Sequence, residues 1–237
     1  MGMGDAAFIY GDEVSRHVLR EDHPMRPSRL RYAYELLQAY GAFAESAPVE
    51  PRMATEEELR RHHTKEYVEA VRSISAGEGR HVPERYNFSE GGDNPPYRGM
   101  YEAAALSAGG SLMAAELVAE GKARVAFNPS GGLHHAARDH ASGFCIFNDV
   151  VLAIEYLQRR GMRVAYVDID CHHGDGVQEA FYESDEVLTV SVHESGRWLF
   201  PGTGAVAEMG RGRGKGFAVN VPMGPYTDDA LYERVFA

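Results

Sequence analysis

The sequence predicts an α/β protein built on a mainly parallel sheet, and three features of the 237-residue chain support this prediction. After residue 122, short apolar segments alternate with helix-like segments, as expected for a parallel sheet with helices on both faces. Ionisable residues gather at the end of one apolar segment, where ligand sites of open α/β sheets lie. The length and the 44% hydrophobic content suffice for one sizeable core, so we expect one domain over residues 1–237.

The first half of the chain predicts three helices. RPSRLRYAYELLQAY has apolar residues at helical spacing and ends before Gly41. TEEELRRHHTKEYVEAVRSI opens with Thr55 and Glu58 in capping-box register, and we place His62 and His63 on the surface of this helix without a chemical role. The Ala-rich stretch YRGMYEAAALSAGGSLMAAELVAEG is the third helix, and its paired glycines predict close packing.

The second half predicts alternating strands and helices. The predicted strands are ARVAFNP, MRVAYVDID, EVLTVSVHE and GFAVNVPM, and the predicted helices are NDVVLAIEYLQRRG, GVQEAFY and TDDALYERVFA. Thr227 is the expected cap of the last helix. No parallel strand follows that helix, so we expect the C-terminal part of the domain to be missing.

Composition restricts the partners and the compartment. A formal net charge of −11 argues against a nucleic-acid partner and permits a cationic substrate. The two cysteines, Cys145 and Cys171, make no disulfide framework and are interpreted as packed thiols in a reducing compartment. The N-terminus lacks the pattern of a signal peptide, and no apolar stretch is long enough to span a membrane. We therefore expect a cytoplasmic protein with no membrane partner.

The segment VAYVDIDCHHGDGVQEAFY predicts a metal site. Asp168, Asp170 and His172 alternate along the end of an apolar strand, so their side chains should share one face. Asp170 and His172 offer a carboxylate oxygen and an imidazole nitrogen, which suit zinc or a similar divalent ion. Asp168 could orient these ligands or bind another cation, and Asp175 by itself is typical of a helix-capping residue.

A second cluster, NPSGGLHHAARDHASGFCIFND, places His134 and His135 just after a predicted strand. One imidazole can accept a proton and then donate it near neutral pH, which suits amide hydrolysis. The cluster therefore predicts a general acid/base pair.

Together, GGLHHAARDHASGFCIFNDVVLAI, VDIDCHHGDGVQEAFY and VSVHESGRWLFPGTG strongly resemble the zinc-dependent histone deacetylase family of the arginase/deacetylase superfamily, and DHPMRPSRL and GGDNPP fit it too. HESGRWLFPGTG and DNPPYRGMYEAA look most like the bacterial and archaeal acetoin-utilisation branch. The resemblance implies a three-layer arginase/deacetylase-like fold. It also implies a deacetylase that acts on acetyl-lysine in a protein or peptide, or on a related acetylated amine.

The resemblance implies roles for individual residues. Two of three zinc ligands would be Asp170 and His172, with Fe²⁺ as the alternative ion. The catalytic pair His134 and His135 would be partnered by Asp168 and Asp175, respectively. The acyl-lysine tunnel and its rim would involve Asp93, Gly143, Phe144 and Phe200, and an internal channel would contain Arg29. Two structural K⁺ or Na⁺ sites would be formed by Asp168, Asp170, His172, Ser191 and Val192, and by Phe181, Ser184 and Val187.

Alternatives remain open at this point. The family's third zinc ligand and transition-state tyrosine would lie beyond residue 237, so we expect this chain to be inactive. A binuclear manganese ureohydrolase would need an aspartate where Gly174 stands. An acetylpolyamine amidohydrolase would use the same chemistry on a small cation, and a non-catalytic acetyl-lysine binder would need no complete site.

Overall fold

The computed structural model describes residues 6–15, 19–44 and 46–236, and the chain divides into two compact units, residues 1–160 and 161–237. The α-helices among the described residues are α1 (Ser28–Ala39), α2 (Glu56–Leu59), α3 (Lys65–Ala76), α4 (Met100–Ala119), α5 (Asp149–Arg159), α6 (Asp175–Phe181) and α7 (Asp229–Phe236). The strands are β1 (Ala6–Phe8), β2 (Val125–Phe127), β3 (Val164–Asp168), β4 (Val187–Glu194) and β5 (Ala218–Met223). None of the described helices combines the length and the hydropathy needed to cross a bilayer.

The first unit contains α1–α5 and a two-stranded parallel sheet in which β1 pairs with β2. The sequence did not predict β1. A core of fully buried side chains, among them Tyr67, Phe88 and Phe147, packs around α3, α4 and α5. In α4, a Cβ atom at Gly109 would lie 1.8 Å from the carbonyl oxygen of Arg52. The predicted close packing of the paired glycines is thus confirmed.

The predicted second helix is wrong as a single element, because the chain forms α2 and α3 with a turn between them. The capping box of Thr55 and Glu58 is confirmed at the start of α2. Thr64 accepts the N–H of Tyr67 and so starts a new helix. His62 and His63 lie in the intervening turn and are buried, not on a helix surface. A second cap and the burial of two rings therefore override the continuous helical pattern.

The second unit contains α6, α7 and a parallel sheet in the order β3-β4-β5. All strand pairs among the described residues are parallel, as predicted. Asp168 on β3 lies opposite Ser191 on β4, and Ser191 lies opposite Asn220 on β5. This face is polar and buried, whereas Val167 and Val219 on the other face are exposed. The buried face carries the residues discussed below.

The last helix, α7, is capped by Asp228 and not by Thr227 as predicted. The carboxylate of Asp228 accepts the N–H of Leu231 at 3.0 Å. The hydroxyl of Thr227 donates to the carbonyl of Gly224 at 2.7 Å, so it serves the preceding turn. Both residue types cap helices well, and the local turn geometry decides between them.

Candidate metal and catalytic site

The carboxyl end of β3 brings the predicted metal ligands Asp170 and His172 together with Asp168. The buried carboxylate of Asp168 accepts the hydroxyl of Tyr166 and, at 3.0 Å, the N–H of Asp170. Asp170 accepts the N–H of His172 at 2.8 Å, and its Oδ1 lies 2.9 Å from Nδ1 of His172. Asp170 and His172 lie beyond the end of β3 at Asp168, so the alternation of side chains along a strand does not place them on one face. The hydrogen bonds keep the three side chains together instead.

A thiol joins this group. Asp170, Cys171 and His172 each offer one ligand atom, and the three atoms lie within 4.8 Å of one another. A carboxylate, an imidazole and a thiol at this separation fit a divalent ion such as zinc. Cys145 is buried, as predicted for a packed thiol, but Cys171 is exposed, so that prediction is wrong for Cys171. Desolvation and then the neighbouring Asp170 raise the pKa of the Cys171 thiol.

Phe200, a predicted tunnel residue, lies beside this group in the second unit. Its ring centroid is 6.2 Å from that of His172, with the rings inclined at 66°. The Phe200 side chain remains 42% exposed. It can therefore offer an apolar surface next to the metal ligands.

The residues of the two predicted monovalent-cation sites lie around β4. Ser191 and Val192 are consecutive on β4, with Ser191 opposite Asp168 in the sheet register. The Ser191 hydroxyl is 2.8 Å from Nδ1 of His193, whose Nε2 lies 3.0 Å from the carbonyl oxygen of Gly204. The second predicted set is placed at the end of α6 and the start of β4, and consists of Phe181, Ser184 and Val187. Their cation binding stays a prediction.

A buried polar network on the same face of the sheet as Asp168 was not predicted. Asn220 donates to Gln178 at 2.6 Å, and Gln178 donates to Glu208 at 2.8 Å. Despite desolvation, hydrogen bonds from the N–H groups of Ala205 and Gly204 hold the pKa of Glu208 below its usual value. In the sequence, Gln178 and Asn220 each interrupt a mainly apolar segment, which indicates a buried polar side chain. Such an interruption does not identify the residue that the side chain will contact.

The predicted acid/base pair lies in the first unit. His134 and His135 follow β2, are both buried, and have ring centroids 4.0 Å apart. Asp175, the predicted partner of His135, is the first residue of α6 in the second unit. The partnerships of the histidines with Asp168 and Asp175 stay predictions.

Two residues that the sequence analysis missed flank this pair. Asn148 caps α5 and Asp149 is its first residue, and both are completely or almost completely buried. Burial raises the pKa of Asp149, while hydrogen bonds from Ser111 and from the N–H groups of Leu133 and Gly132 oppose the shift. A signal existed in CIFNDVVLAI, where an Asn-Asp pair interrupts an apolar run.

His62 and His63 also belong to this unit. Burial, and then the charge of Arg138, lowers the pKa of His62 to about 4. Burial lowers the pKa of His63 well below its ordinary value, so both rings are neutral near pH 7. His63 contacts the backbone N–H of Asn148. His63 therefore supports the start of α5, and neither ring faces solvent.

Two of the predicted rim residues, Asp93 and Phe144, both contact His23, another residue that was missed. His23 is 1% exposed and its ring lies 4.6 Å from the Phe144 ring, edge to face. Nδ1 of His23 accepts the N–H of Met25, so Nε2 carries the proton and donates to the carbonyl of Asp93 at 3.1 Å. Gly143 and Phe144 both adopt positive φ angles, of 49° and 71°. The Asp93 side chain itself is exposed.

Arg29, the predicted channel residue, lines a mainly apolar cavity of about 70 Å³ within the first unit. Leu30, Leu133 and Phe144 line the same cavity. The structure thus places Arg29 and a predicted tunnel residue at one cavity.

Comparison with known proteins gives consistent matches. Residues 23–237 match the family model described as the histone deacetylase domain. The acetoin utilization protein AcuC of Bacillus subtilis (strain 168) is 45% identical over 238 residues, covering 99% of this chain and 61% of AcuC. Histone deacetylase HDAC1 of Drosophila melanogaster is 42% identical over 232 residues, covering 97% of this chain and 44% of that protein.

Solved structures agree. The crystal structure of an HDAC homolog from Aquifex aeolicus is similar with a TM-score of 0.87 and 34% identity, covering 98% of this chain and 62% of that one. An HDAC homolog complexed with SAHA gives a TM-score of 0.83 and 33% identity, covering 92% of this chain and 59% of that one. The chain thus spans less than two thirds of the length of each of these relatives.

Proposed function

The chain belongs to the histone deacetylase family, and from this premise we propose that it is a metal-dependent hydrolase that removes acetyl groups from acetylated lysine. The predicted resemblance, including that to the acetoin-utilisation branch, and the α/β arginase/deacetylase fold class are confirmed. The observation that carries the proposed chemistry is the donor group at the end of β3, where Oδ1 of Asp170 and Nδ1 of His172 lie 2.9 Å apart.

Asp170 and His172 would hold the ion, which we propose to be zinc, with Fe²⁺ as the alternative. When bound, the ion would supply a Lewis acid for the amide carbonyl and lower the pKa of its bound water. His135 would take a proton from the attacking water and return it to the leaving nitrogen, with His134 as the second member of the pair. Asp168 and Asp175 would orient the two histidines.

The remaining predicted residues would bind substrate or support the site. The exposed carboxylate of Asp93 would accept N–H groups of the substrate backbone, and Gly143, Phe144 and Phe200 would enclose the acyl-lysine stem. The first K⁺ or Na⁺ site would stabilise the carboxyl ends of β3 and β4, and the second would stabilise the connection between α6 and β4. The net charge of −11 favours a cationic protein or peptide over a nucleic acid as the partner. A cytoplasmic location remains part of this proposal, and cell fractionation tests it.

The deciding experiment compares turnover of an acetyl-lysine peptide and of an acetylated polyamine by chelator-treated protein and by the same protein reloaded with zinc or Fe²⁺. In protein that extends over the full length of its relatives, we expect metal-restored release of acetate, faster from the peptide, whereas residues 1–237 alone keep the expectation of inactivity stated above. His135→Ala should keep the metal and lose turnover, whereas the exposed control His140→Ala should change neither.

Other results would replace the proposal. Preferential hydrolysis of the polyamine would make the chain an acetylpolyamine amidohydrolase. Peptide binding without turnover in metal-loaded protein would make it an acetyl-lysine binder. Turnover that is unchanged by chelation would contradict a metal-dependent mechanism.

A further inference from the structure

We propose that Asn148, Asp149 and His63 are positioning residues that fix the backbone of the His134–His135 segment and thereby the placement of both imidazoles. The inference rests on the proposed function for its catalytic meaning. The contacts that carry it lie entirely within the first unit and do not depend on a bound metal.

Asp149 holds the segment from the side that precedes the histidines. Its Oδ1 accepts the N–H of Leu133 at 2.7 Å, and its Oδ2 accepts the N–H of Gly132 at 3.0 Å and the hydroxyl of Ser111. The residue is 1% exposed, so the carboxylate depends on these donors instead of water. The two residues before His134 are therefore tied to the start of α5.

Asn148 holds the segment from the other side. Its Nδ2 donates to the carbonyl oxygens of His134 at 3.2 Å and of Ala136 at 3.0 Å. Its Oδ1 accepts the N–H of Val151 at 3.1 Å, which is the helix cap. A cap needs only this oxygen. The two amide N–H groups are therefore not needed for the cap, and both donate to backbone carbonyl oxygens next to His135.

His63 fixes Asn148. Its Nε2 accepts the backbone N–H of Asn148 at 3.0 Å, and its Nδ1 lies 3.3 Å from the carbonyl oxygen of Arg138. The ring must be neutral to accept through Nε2, so the proton is on Nδ1. One imidazole thus connects the start of α5 with the chain that follows the catalytic pair.

Gly131 shows how tightly the segment lies against Asp149. A Cβ atom at Gly131 would lie 2.5 Å from Oδ2 of Asp149 and 2.6 Å from Oγ of Ser111. Any larger residue would push the segment away from the carboxylate. Gly131→Ala is therefore a way to displace the segment while leaving Asp149 in place.

This rigidity matters because proton transfer needs donor and acceptor atoms within about 2.6–3.2 Å. A misplacement of about 1 Å can reduce a rate about a hundred-fold. Such an effect differs from a loss of stability, because it lowers kcat in molecules that remain folded.

The test uses four variants and one control, made in protein that extends over the full length of the relatives. Asn148→Ser keeps a capping oxygen and loses both amide donors. Asp149→Asn keeps the size and loses the charge. His63→Leu loses the acceptor for the Asn148 N–H, whereas His63→Gln retains an acceptor and should restore much of the effect. The control Ser75→Ala removes a buried hydroxyl that accepts the N–H of Tyr101 at the start of α4, away from the histidines.

We expect hydrogen exchange at the amides of Gly132 and Leu133 to accelerate about ten- to a hundred-fold in Asp149→Asn, as for losing a hydrogen bond to a charged acceptor. The imidazole NMR signals of His134 and His135 should shift in Asn148→Ser, Asp149→Asn and His63→Leu. On an acetyl-lysine peptide, these three variants should lose about a hundred-fold in kcat with KM changed less than about three-fold. Ser75→Ala should change hydrogen exchange at Gly132 and Leu133 only as much as its change in the free energy of global unfolding requires.

Parental exchange rates and ring signals in both Asn148→Ser and Asp149→Asn would overturn the proposal. So would shifted ring signals accompanied by control-like kcat and KM. If the full-length parent protein hydrolyses no acetylated peptide, the proposed function fails, and the exchange and ring signals alone then decide whether these residues position the histidine pair.

Discussion

Nδ1 of His172 lies 2.9 Å from Oδ1 of Asp170, and a second His–Asp pair in the same chain has nearly the same geometry. In that second pair, Nδ1 of His140 lies 2.7 Å from Oδ1 of Asp139. Among the described residues, only the first pair belongs to a group of three possible donors. The third possible donor, Cys171, is what distinguishes the Asp170–His172 pair from the Asp139–His140 contact.

We predict that Asp170→Ala and His172→Ala each reduce zinc retention by at least about ten-fold, because the remaining donors cannot fix the ion. Zinc content after dialysis measures the effect. Asp139→Ala and His140→Ala are the matched controls and should retain parental zinc. Equal zinc in parent and donor variants would remove Asp170 and His172 from the metal site.

Cys171 should report on metal binding without any assay of activity. Since Cys171 is exposed and Cys145 is buried, a maleimide should label only Cys171 in the folded chain. Zinc should slow this labelling about ten-fold or more, because the Cys171 sulfur lies within 4.8 Å of the other two donor atoms. Mass spectrometry of the labelled chain measures both effects. Asp170→Ala should abolish the protection, and equal labelling of zinc-bound and zinc-free parent would contradict the grouping.

The rim should distinguish peptides from small substrates. Asp93→Ala should raise KM for an acetyl-lysine peptide about ten-fold, and change KM for a small acetylated amine little, because only the peptide has backbone N–H groups to donate. His23→Ala should give part of the same effect, since His23 holds the Asp93 carbonyl at 3.1 Å. His23→Gln retains a donor and should be milder. Equal losses on both substrates would assign Asp93 to the turn alone.

Acid should destabilise the chain through His62. Its pKa is lowered to about 4 in the folded state, against an ordinary value of 6.5, because the ring is buried. The unfolded chain therefore binds a proton that the folded chain does not. The contribution of His62 to stability is fully present above pH 6.5, falls between pH 6.5 and about 4 by roughly 3 kcal/mol, and is lost no further below that range.

Urea unfolding at several pH values measures this slope. His62→Gln should flatten it between pH 6.5 and about 4. An identical slope in parent and His62→Gln would mean that His62 is not the group responsible.

The sequence by itself determined the elements that depend on neighbouring residues. Short apolar segments predicted β2–β5, and helical spacing of apolar residues predicted α1 and α4–α7. The repeats of strands and helices follow from local backbone geometry, so they can be recognised in the sequence. The capping box of Thr55 and Glu58 spans three residues and was predicted for the same reason. Asp170 and His172 are two residues apart, so their proximity at a strand end could also be predicted.

Only the tertiary structure decided which polar residues are buried and what they contact. His62 and His63 have the spacing of a helix surface, yet a cap at Thr64 and burial of both rings place them in a turn. His63 contacts Asn148, 85 positions away, and His23 contacts Asp93, 70 positions away. No local period encodes such pairs, because burial and hydrogen-bond partners depend on which distant segments pack together once the chain has folded.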